Sequence, residues 1–299
     1  MLNYPPSIVE FKRYLELRDY RPPTKKEYVR QAWKLAQHFE CDPATLAENQ
    51  VRQYYLFLRE EQRWSPGLMK MAKWALKAFY TEHLKITDWT VFEDLRVAEP
   101  KTVPMVLSRE EVQKLLAAVR EERFAVCLRL MYYCGLRVGE AVSLQVEHIC
   151  SRQQPPSLHI VDGKGRKDRY VPLYPGILQE LRQWWRTHQN PTWIFPCPPA
   201  TRCTAAALRQ AAHPMRTESV QMTFQLARDV AGIHSRATPH TLRHSYATHL
   251  LEEGISLRQI SSYLGHESLD TTAIYTHLTA VSEARTQLAL QNLYQPTKL

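Results

Sequence analysis

The chain has 299 residues, 44% of them hydrophobic, so it is long and apolar enough for two domains with buried cores. No apolar run approaches the roughly 20 residues of a membrane span, and the first residues lack a signal-peptide layout, so we expect a soluble, cytoplasmic protein. The net charge is +9, and residues 101–299 hold 23 Lys/Arg against 16 Asp/Glu. This excess favours a polyanionic partner, first of all nucleic acid, over charge that serves solubility alone.

Residues 1–95 predict an all-helical N-terminal domain. Apolar residues recur at helical spacing in 7–17 and in three further stretches, the last of which starts at Ser65-Pro66 with an N-cap and a helix-opening proline. That last helix is predicted to turn five residues inward, namely Leu68, Ala72, Ala75, Leu76 and Phe79. Another side of it carries a stripe of three lysines, Lys70, Lys73 and Lys77. The stripe is either a solvated face or a contact with DNA phosphates.

A proline-containing segment, 96–106, predicts an extended linker to a second domain of residues 107–299. The second domain opens at Ser108 with a capping box. Its periodicity changes to that of strands between Ser157 and Leu173, which predicts a basic β-hairpin. Helical patterns cover much of the rest, at 108–122, 123–134, 138–146, 175–188, 203–212, 218–232, 240–253, 256–264, 269–276 and 280–293. The predicted fold class is therefore mainly α with a small β-hairpin sheet.

The cysteines and histidines give no metal-binding pattern. Six cysteines form no CxxC pair, and we expect them to be reduced thiols. Cys197, Cys203 and His213 match no common zinc spacing. His240 and His244 lie four residues apart, but a zinc protease motif would need glutamate at position 241, where threonine stands. The sequence thus predicts no metal site and no cofactor.

Four side chains near the C-terminal end have the chemistry to act on a phosphodiester: His240, Arg243, His266 and Tyr275. An arginine fork matches two non-bridging phosphate oxygens, and a tyrosine can attack phosphorus covalently. Taken alone, either histidine would more often be structural. Tyr246, the nearest rival to Tyr275 as a nucleophile, is better explained as a core residue.

Five motifs, in order between residues 107 and 277, resemble the catalytic domain of the tyrosine recombinases, the phage integrase family. They are Gly135-Leu-Arg137-Val-Gly-Glu140, the hairpin from Gly163 to Leu173, His240-Thr-Leu-Arg243, Leu264-Gly-His266 and Tyr275. The resemblance implies a two-domain, C-shaped DNA clamp. Residues 1–95 would be its core-binding, DNA-binding domain, which they match by position and length only.

The resemblance also implies a role for each residue of these motifs. Tyr275 would attack the scissile phosphate and form a 3′-phosphotyrosyl link without metal or ATP. Lys164 would protonate the leaving 5′-oxygen, and Glu140 would orient a neighbouring side chain. Four residues would stabilise the transition state: Arg137, His240, Arg243 and His266. Three more would hold DNA phosphates near the hairpin: Arg166, Lys167 and Arg169.

We therefore predict a site-specific DNA recombinase or integrase. By resemblance, it would act at the nucleoid as a homo-tetramer on two double-stranded DNA sites, with helix 280–293 reaching a neighbouring protomer or packing in cis. Two alternatives stay open: a nicking–closing enzyme similar to type IB topoisomerases, and a non-catalytic DNA-binding protein on the same fold. The sequence does not predict the DNA target, any accessory protein, or the role of residues 190–236. Nor does it separate dimer resolution, phage or transposon integration, and cassette capture.

Overall fold

The structure is a computed structural model that describes residues 4–97, 104–161, 168–198, 203–266 and 268–275. The chain divides into two compact units, Met1–Thr102 and Val103–Leu299. Both units are mostly helical, and the second adds short antiparallel strands. None of the helices in these described ranges is long and apolar enough to cross a membrane.

The first unit is a group of helices around one apolar core. Proline stands in the first turn of three of its helices, and Ser65 caps the fourth helix of the chain as predicted, with its Oγ accepting the N–H of Leu68. The elements are α1 (Pro6–Glu16), α2 (Pro22–Phe39), α3 (Glu48–Glu60), α4 (Pro66–Lys77), a π-helical turn (Ala78–His83) and α5 (Val91–Asp94). Their core includes Ile8, Phe11, Leu35, Tyr54 and Phe79.

One residue of α4 departs from the predicted inward face. Leu68 is 43% exposed, whereas Met69, Ala72 and Leu76 are buried. Residues 65–68 are all exposed, because the first turn of α4 projects beyond the packed core. The helical spacing placed Leu68 on the correct side of the helix, but that end of α4 stays exposed in the described part of the chain.

The second unit contains nine helices and five short strands within the described residues. Ser108 opens it with the predicted capping box, since Ser108 Oγ accepts the N–H of Glu111 and the Glu111 carboxylate accepts the N–H of Ser108. The elements are α6 (Arg109–Ala117), α7 (Glu122–Cys134), α8 (Val138–Val142), β1 (Ile149–Cys150), β2 (Ser157–Ile160), β3 (Arg169–Pro172), α9 (Pro175–His188), β4 (Pro196–Cys197), α10 (Ala205–Arg209), β5 (His213–Pro214), α11 (Thr217–Val230), α12 (Pro239–Glu252), α13 (Leu257–Leu264) and α14 (Asp270–Ala273).

Four predicted helices are shorter than expected. The pattern at 108–122 forms only α6, and the pattern at 269–276 forms only α14. The pattern at 138–146 forms only α8, because Ser143 leaves the helical conformation and its Oγ donates back to the Gly139 carbonyl. The pattern at 203–212 forms only α10, after which the chain enters β5. The predicted helix at 280–293 lies outside the described residues.

The predicted hairpin is present as part of a three-stranded sheet in the order β1-β2-β3. Ser157 pairs with Pro172 and Ile160 with Arg169 in antiparallel register. Leu158, Ile160 and Val171 turn one face of this sheet into the core. The tip of the hairpin, residues 162–167, lies outside the described residues. The contacts of the hairpin given below are therefore those of its base, at Arg169.

A second, two-stranded sheet was not predicted. It pairs β4 with β5 and sets Cys197 opposite His213, while Cys203 accepts a hydrogen bond from Arg123. In the described ranges, no group of three or more His, Cys, Asp or Glu side chains is arranged to hold a metal ion.

Helix α12 is enclosed on most of its circumference, and this position brings its polar residues into the interior. Nine of its fourteen residues are buried, including Arg243, Ser245 and His249. A helix that lacks an exposed stripe must satisfy its polar side chains inside the protein. Ser245 does so by accepting the N–H of Leu107, and His249 shares a hydrogen bond with the Tyr132 hydroxyl. Arg243 does so at the site described next.

Candidate active site

Arg137 stands at the junction of α7 and α8, where a glycine is required. Gly135 ends α7 with φ +61°, and a Cβ at this position would lie 2.5 Å from a ring carbon of Tyr246. Two residues later Arg137 is the N-cap of α8, with its backbone N–H and its Nη1 both donating to the carboxylate of Glu140, at 2.9 and 2.8 Å. The sharp turn thus fixes both the origin and the direction of the Arg137 side chain.

Arg243 is 1% exposed and bridges the carboxyl ends of two helices. Its Nη1 donates to the carbonyl of Gly135 after α7 (2.6 Å), and its Nη2 donates to the carbonyl of Leu264 in α13 (2.5 Å). A cation is stabilised where helix dipoles present their negative ends. Burial, followed by the charge of Arg137, lowers the pKa of Arg243 to about 9, so the guanidinium stays charged at neutral pH.

Arg169 does not present its guanidinium at the surface, and this corrects the expectation that it contacts DNA phosphates. The residue is buried, and its Nη1 and Nη2 donate to the two carboxylate oxygens of Glu140 at 3.0 and 2.7 Å. Its Nε donates to the carbonyl of Tyr263 at the end of α13. Arg169 therefore joins the base of the hairpin to α8 and α13.

Glu140 holds both arginines as an ionised carboxylate. Burial alone would raise the pKa of Glu140, but the hydrogen bonds and charge of Arg169, together with the bonds from Arg137, lower it to about 2. The carboxylate also lies 3.9 Å from Nη1 of Arg243. Glu140 thus places one negative charge among three guanidinium groups, which fits the orienting role predicted for it.

His266 follows the left-handed Gly265 that ends α13. Its Nδ1 lies 2.9 Å from the Thr272 hydroxyl, and its Nε2 lies 3.3 Å from Nη2 of Arg243. Because a guanidinium only donates, Nε2 is the accepting nitrogen in this arrangement and Nδ1 carries the proton. Burial, followed by the charges of Arg243 and Arg137, lowers the pKa of His266 to about 4.

Tyr275 is 2% exposed, and its hydroxyl lies 2.8 Å from Nδ1 of His244. Burial raises the pKa of this tyrosine, while Arg243 and Arg137 act in the opposite direction. His244, which the sequence offered only as a possible metal ligand, was not among the predicted site residues. The spacing of four residues from His240 did place both histidines on one face of α12, and their rings meet edge to face at 4.6 Å.

One cavity of about 280 Å³ gathers five of the six residues predicted to be catalytic. It is lined by Arg137, His240, Arg243, His244, Gly265, His266, Thr271, Ile274 and Tyr275. Lys164, the sixth, and the predicted DNA contacts Arg166 and Lys167 lie outside the described residues. The cavity therefore presents two arginines, three histidines and a tyrosine to the same small volume.

The lysine stripe of the first unit is less uniform than its spacing suggested. Lys70 is exposed. Lys73 donates to the carbonyl of Leu95 at 2.7 Å, and the Lys77 ammonium lies 5.9 Å from the ring centre of Trp74. At least Lys73 is thus held by its own domain.

Comparison with known proteins matches both units. Residues 105–281 match the phage integrase family, and residues 8–89 match the N-terminal SAM-like domain of phage integrases. The tyrosine recombinase XerA of Pyrococcus furiosus is 31% identical, over 91% of this chain and 90% of its own length.

Two solved structures share the fold. A XerH site-specific recombinase bound to palindromic difH substrate, in a post-cleavage complex, is 19% identical, with a TM-score of 0.69 over 95% of this chain and 84% of that one. A lambda integrase tetramer bound to a Holliday junction is 17% identical, with a TM-score of 0.69 over 90% of this chain and 76% of that one. With the family match over more than half of its length, the chain belongs to the phage integrase family, the tyrosine recombinases.

Proposed function

We propose that this protein is a site-specific DNA recombinase that cleaves and rejoins DNA strands through a 3′-phosphotyrosyl intermediate. The observation that carries the proposal is the shared cavity, in which the Tyr275 hydroxyl and the guanidinium groups of Arg137 and Arg243 face one volume. A nucleophile and two bidentate phosphate ligands together suit in-line attack on a phosphodiester. Ion pairs that served stability alone would not require a tyrosine at this place.

The arginines keep donors available for a phosphate. A guanidinium has five N–H groups. The N–H groups of Arg243 that form hydrogen bonds point to Gly135, Leu264 and His266. Arg137 uses its Nη1 to donate to Glu140. The remaining donors can stabilise the charge that builds on the non-bridging oxygens as phosphorus becomes pentacoordinate.

The chemical step balances as a transesterification. The Oη of Tyr275 forms a bond to phosphorus, the bond from phosphorus to the 5′-oxygen breaks, and that oxygen takes a proton, which we assign to Lys164 from its place in the hairpin motif. The phosphotyrosyl ester conserves the bond energy, so a 5′-hydroxyl from the same or another strand can reverse the step.

The assembly and the domain roles follow the relatives. We propose that residues 1–95 form the core-binding domain on DNA, that 96–106 link it to the catalytic residues 107–299, and that four copies act on two DNA sites. The lambda integrase tetramer on a Holliday junction supports an assembly of four copies. We assign the contact between protomers to the apolar residues Leu288, Leu290 and Leu293 of the segment 280–293. A protein of this function would act in the cytoplasm, at the nucleoid.

Covalent trapping tests the proposal. Nicked duplexes made from genomic fragments should yield a covalent protein–DNA adduct with the wild-type chain, and sequencing the trapped DNA identifies the site. Tyr275→Phe should give no adduct, and Tyr133→Phe, a change at a 39%-exposed tyrosine of the same unit, should give as much adduct as wild type. Absence of any wild-type adduct, or an undiminished adduct with Tyr275→Phe, would refute the enzymatic function.

A second assay separates recombination from nicking and closing. Two labelled duplexes that carry the trapped site should be joined to each other by the wild-type chain. Relaxation of supercoiled DNA without joined products would instead identify an enzyme similar to the type IB topoisomerases.

A further inference from the structure

Tyrosine must lose a proton before or during its attack on phosphorus, and the structure shows where that proton can go. The Tyr275 hydroxyl lies 2.8 Å from Nδ1 of His244, which is within reach for direct proton transfer. The two rings are 5.7 Å apart and tilted by 50°. The acceptor is a side chain of α12, the helix that also carries Arg243, so its place relative to the phosphate-binding arginine is fixed by the helix itself.

His240 is placed differently. It stands one turn earlier on α12, and its ring packs against the ring of His244 at 88°. Among the described residues, the hydrogen bond of the Tyr275 hydroxyl goes to His244 and not to His240. His240 does line the cavity, where it can donate to a phosphate oxygen. The geometry thus gives the two histidines different places: His240 faces the cavity, and His244 bonds to the tyrosine.

The charge state of His244 suits an acceptor. Burial, followed by the neighbouring His240 and Arg243, lowers its pKa to about 4, so the ring is neutral at neutral pH. In the tautomer whose proton lies on Nε2, Nδ1 accepts the hydrogen bond of the tyrosine hydroxyl. A phosphodiester anion bound in the cavity offsets the charges of Arg243 and Arg137, and this raises the proton affinity of His244 when substrate is present. The other titratable groups that line the same cavity are His240, His266 and Tyr275.

We propose that His244 is the general base for Tyr275 in the reaction described above, and the assignment rests on that proposed function. As the Oη of Tyr275 bonds to phosphorus, its proton passes to Nδ1 of His244. The electron pair of the breaking bond leaves on the 5′-oxygen, which the general acid protonates. In the reverse step, the proton returns from His244 to Oη as the tyrosine departs.

The test compares His244→Asn with His240→Asn in single-turnover adduct formation on the trapped site. The Oδ1 of asparagine stands close to the place of Nδ1 and can accept the tyrosine hydrogen bond, but it is not basic. A substrate whose scissile 5′-oxygen is replaced by sulfur needs no general acid, so its rate isolates activation of the nucleophile. We expect His244→Asn to lose about 100-fold or more on both substrates.

The decisive measurement is how the loss of rate in His244→Asn changes with the acidity of the tyrosine. A base becomes dispensable when the nucleophile ionises unaided, so His244→Asn should recover towards the wild-type rate at high pH and when position 275 carries difluorotyrosine, which has a lower pKa. His240→Asn should show no such recovery. Melting temperature and affinity for the uncleaved duplex, measured on each variant, confirm that folding and DNA binding are retained.

Three outcomes would overturn the assignment. An unchanged or faster rate in His244→Asn would mean that His244 only holds the resting tyrosine. A loss that is equal at every pH and with difluorotyrosine would make its role structural. Recovery in His240→Asn alone would identify His240 as the base. Failure of the wild-type chain to form any adduct would instead refute the proposed function itself.

Discussion

The ion pair between Arg169 and Glu140 makes a quantitative prediction for Arg169→Met, which removes the charge and keeps much of the volume. The pKa of Glu140 is about 2 in the folded unit against an ordinary 4.5, and at 1.36 kcal/mol per pKa unit this difference is worth about 3 kcal/mol. The Glu140 side chain is only 11% exposed, so solvent screening reduces the figure little. Because Arg137 still donates to Glu140 in the variant, we expect a loss of about 2 kcal/mol at pH 7.

The pH dependence of this loss has a defined sign. The folded pKa of Glu140 lies below its unfolded value, so the stabilisation is complete above about pH 4.5 and is lost as the pH falls towards 2. The unfolded state is common to both chains, so the difference between the wild-type chain and Arg169→Met should be largest at pH 7 and should shrink only below the folded pKa of Glu140 in the variant, which lies between about 2 and 4.5. A purely steric effect of the substitution would not depend on pH in this way.

Hydrogen exchange on the full chain measures the effect where it occurs. Exchange into peptides from α7, α8 and α13 gives their opening free energies at pH 7 and at pH 3. Arg129→Met is the matched control, because Arg129 pairs with Glu180 at 3.2 Å in the same unit but is about one-third exposed, and its loss should stay below about 1 kcal/mol. A loss in Arg169→Met that equals the control, or that is the same at both pH values, would refute the reasoning.

Two further predictions concern glycines and pH. Gly139→Ala should raise the melting temperature, since nothing lies within 4 Å of the added Cβ and alanine favours the helix by about 0.5–1 kcal/mol. Gly135→Ala should lower the melting temperature, because Gly135 has φ +61° and an added Cβ would contact Tyr246. Equal effects of the two substitutions in thermal denaturation would contradict this prediction. Urea unfolding should show a lower free energy of unfolding at pH 5 than at pH 7. The folded pKa values of His244 and His266, at about 4, lie below the unfolded value of 6.5. As the pH falls from 6.5 towards 4, the unfolded chain therefore binds protons at these histidines before the folded chain does, and the free energy of unfolding falls. We expect about 1 kcal/mol from each after allowance for partial exposure, and a pH slope that His266→Asn leaves unchanged would contradict it.

Local signals in the sequence predicted most of the helices and their ends. The serine–proline start at Ser65, the capping box at Ser108 and the glycine that ends α7 each act through backbone groups within a few residues. Such interactions can therefore be predicted directly from the sequence. The same locality explains the miss at Leu68, whose exposure depends on what lies beyond the helix end.

The contacts of Arg169 and His244 could not be predicted, because they join distant parts of the chain. Glu140 is 29 residues from Arg169, and Tyr275 is 31 residues from His244. The family resemblance and the basic character of the hairpin placed Arg169 among DNA contacts, since a basic hairpin normally presents arginines to solvent or phosphate. Only the packing of the hairpin base against α8 and α13 shows that this guanidinium faces inward.

Arg243 carries a consequence for how proteins of this fold can lose activity. Its guanidinium holds the carbonyl ends of α7 and α13 together while it lines the cavity, so replacing it disturbs the architecture as well as the chemistry. The Tyr275 hydroxyl bears less on the architecture, because among the described residues it bonds to the side chain of His244, whereas the buried ring of Tyr275 packs in the core. A descendant that keeps the fold for binding alone can therefore exchange the tyrosine for a phenylalanine that fills the same space, but it must retain the arginine. Persistence of this arginine in a sequence is therefore a sign of a preserved fold, and only the tyrosine is a sign of preserved catalysis.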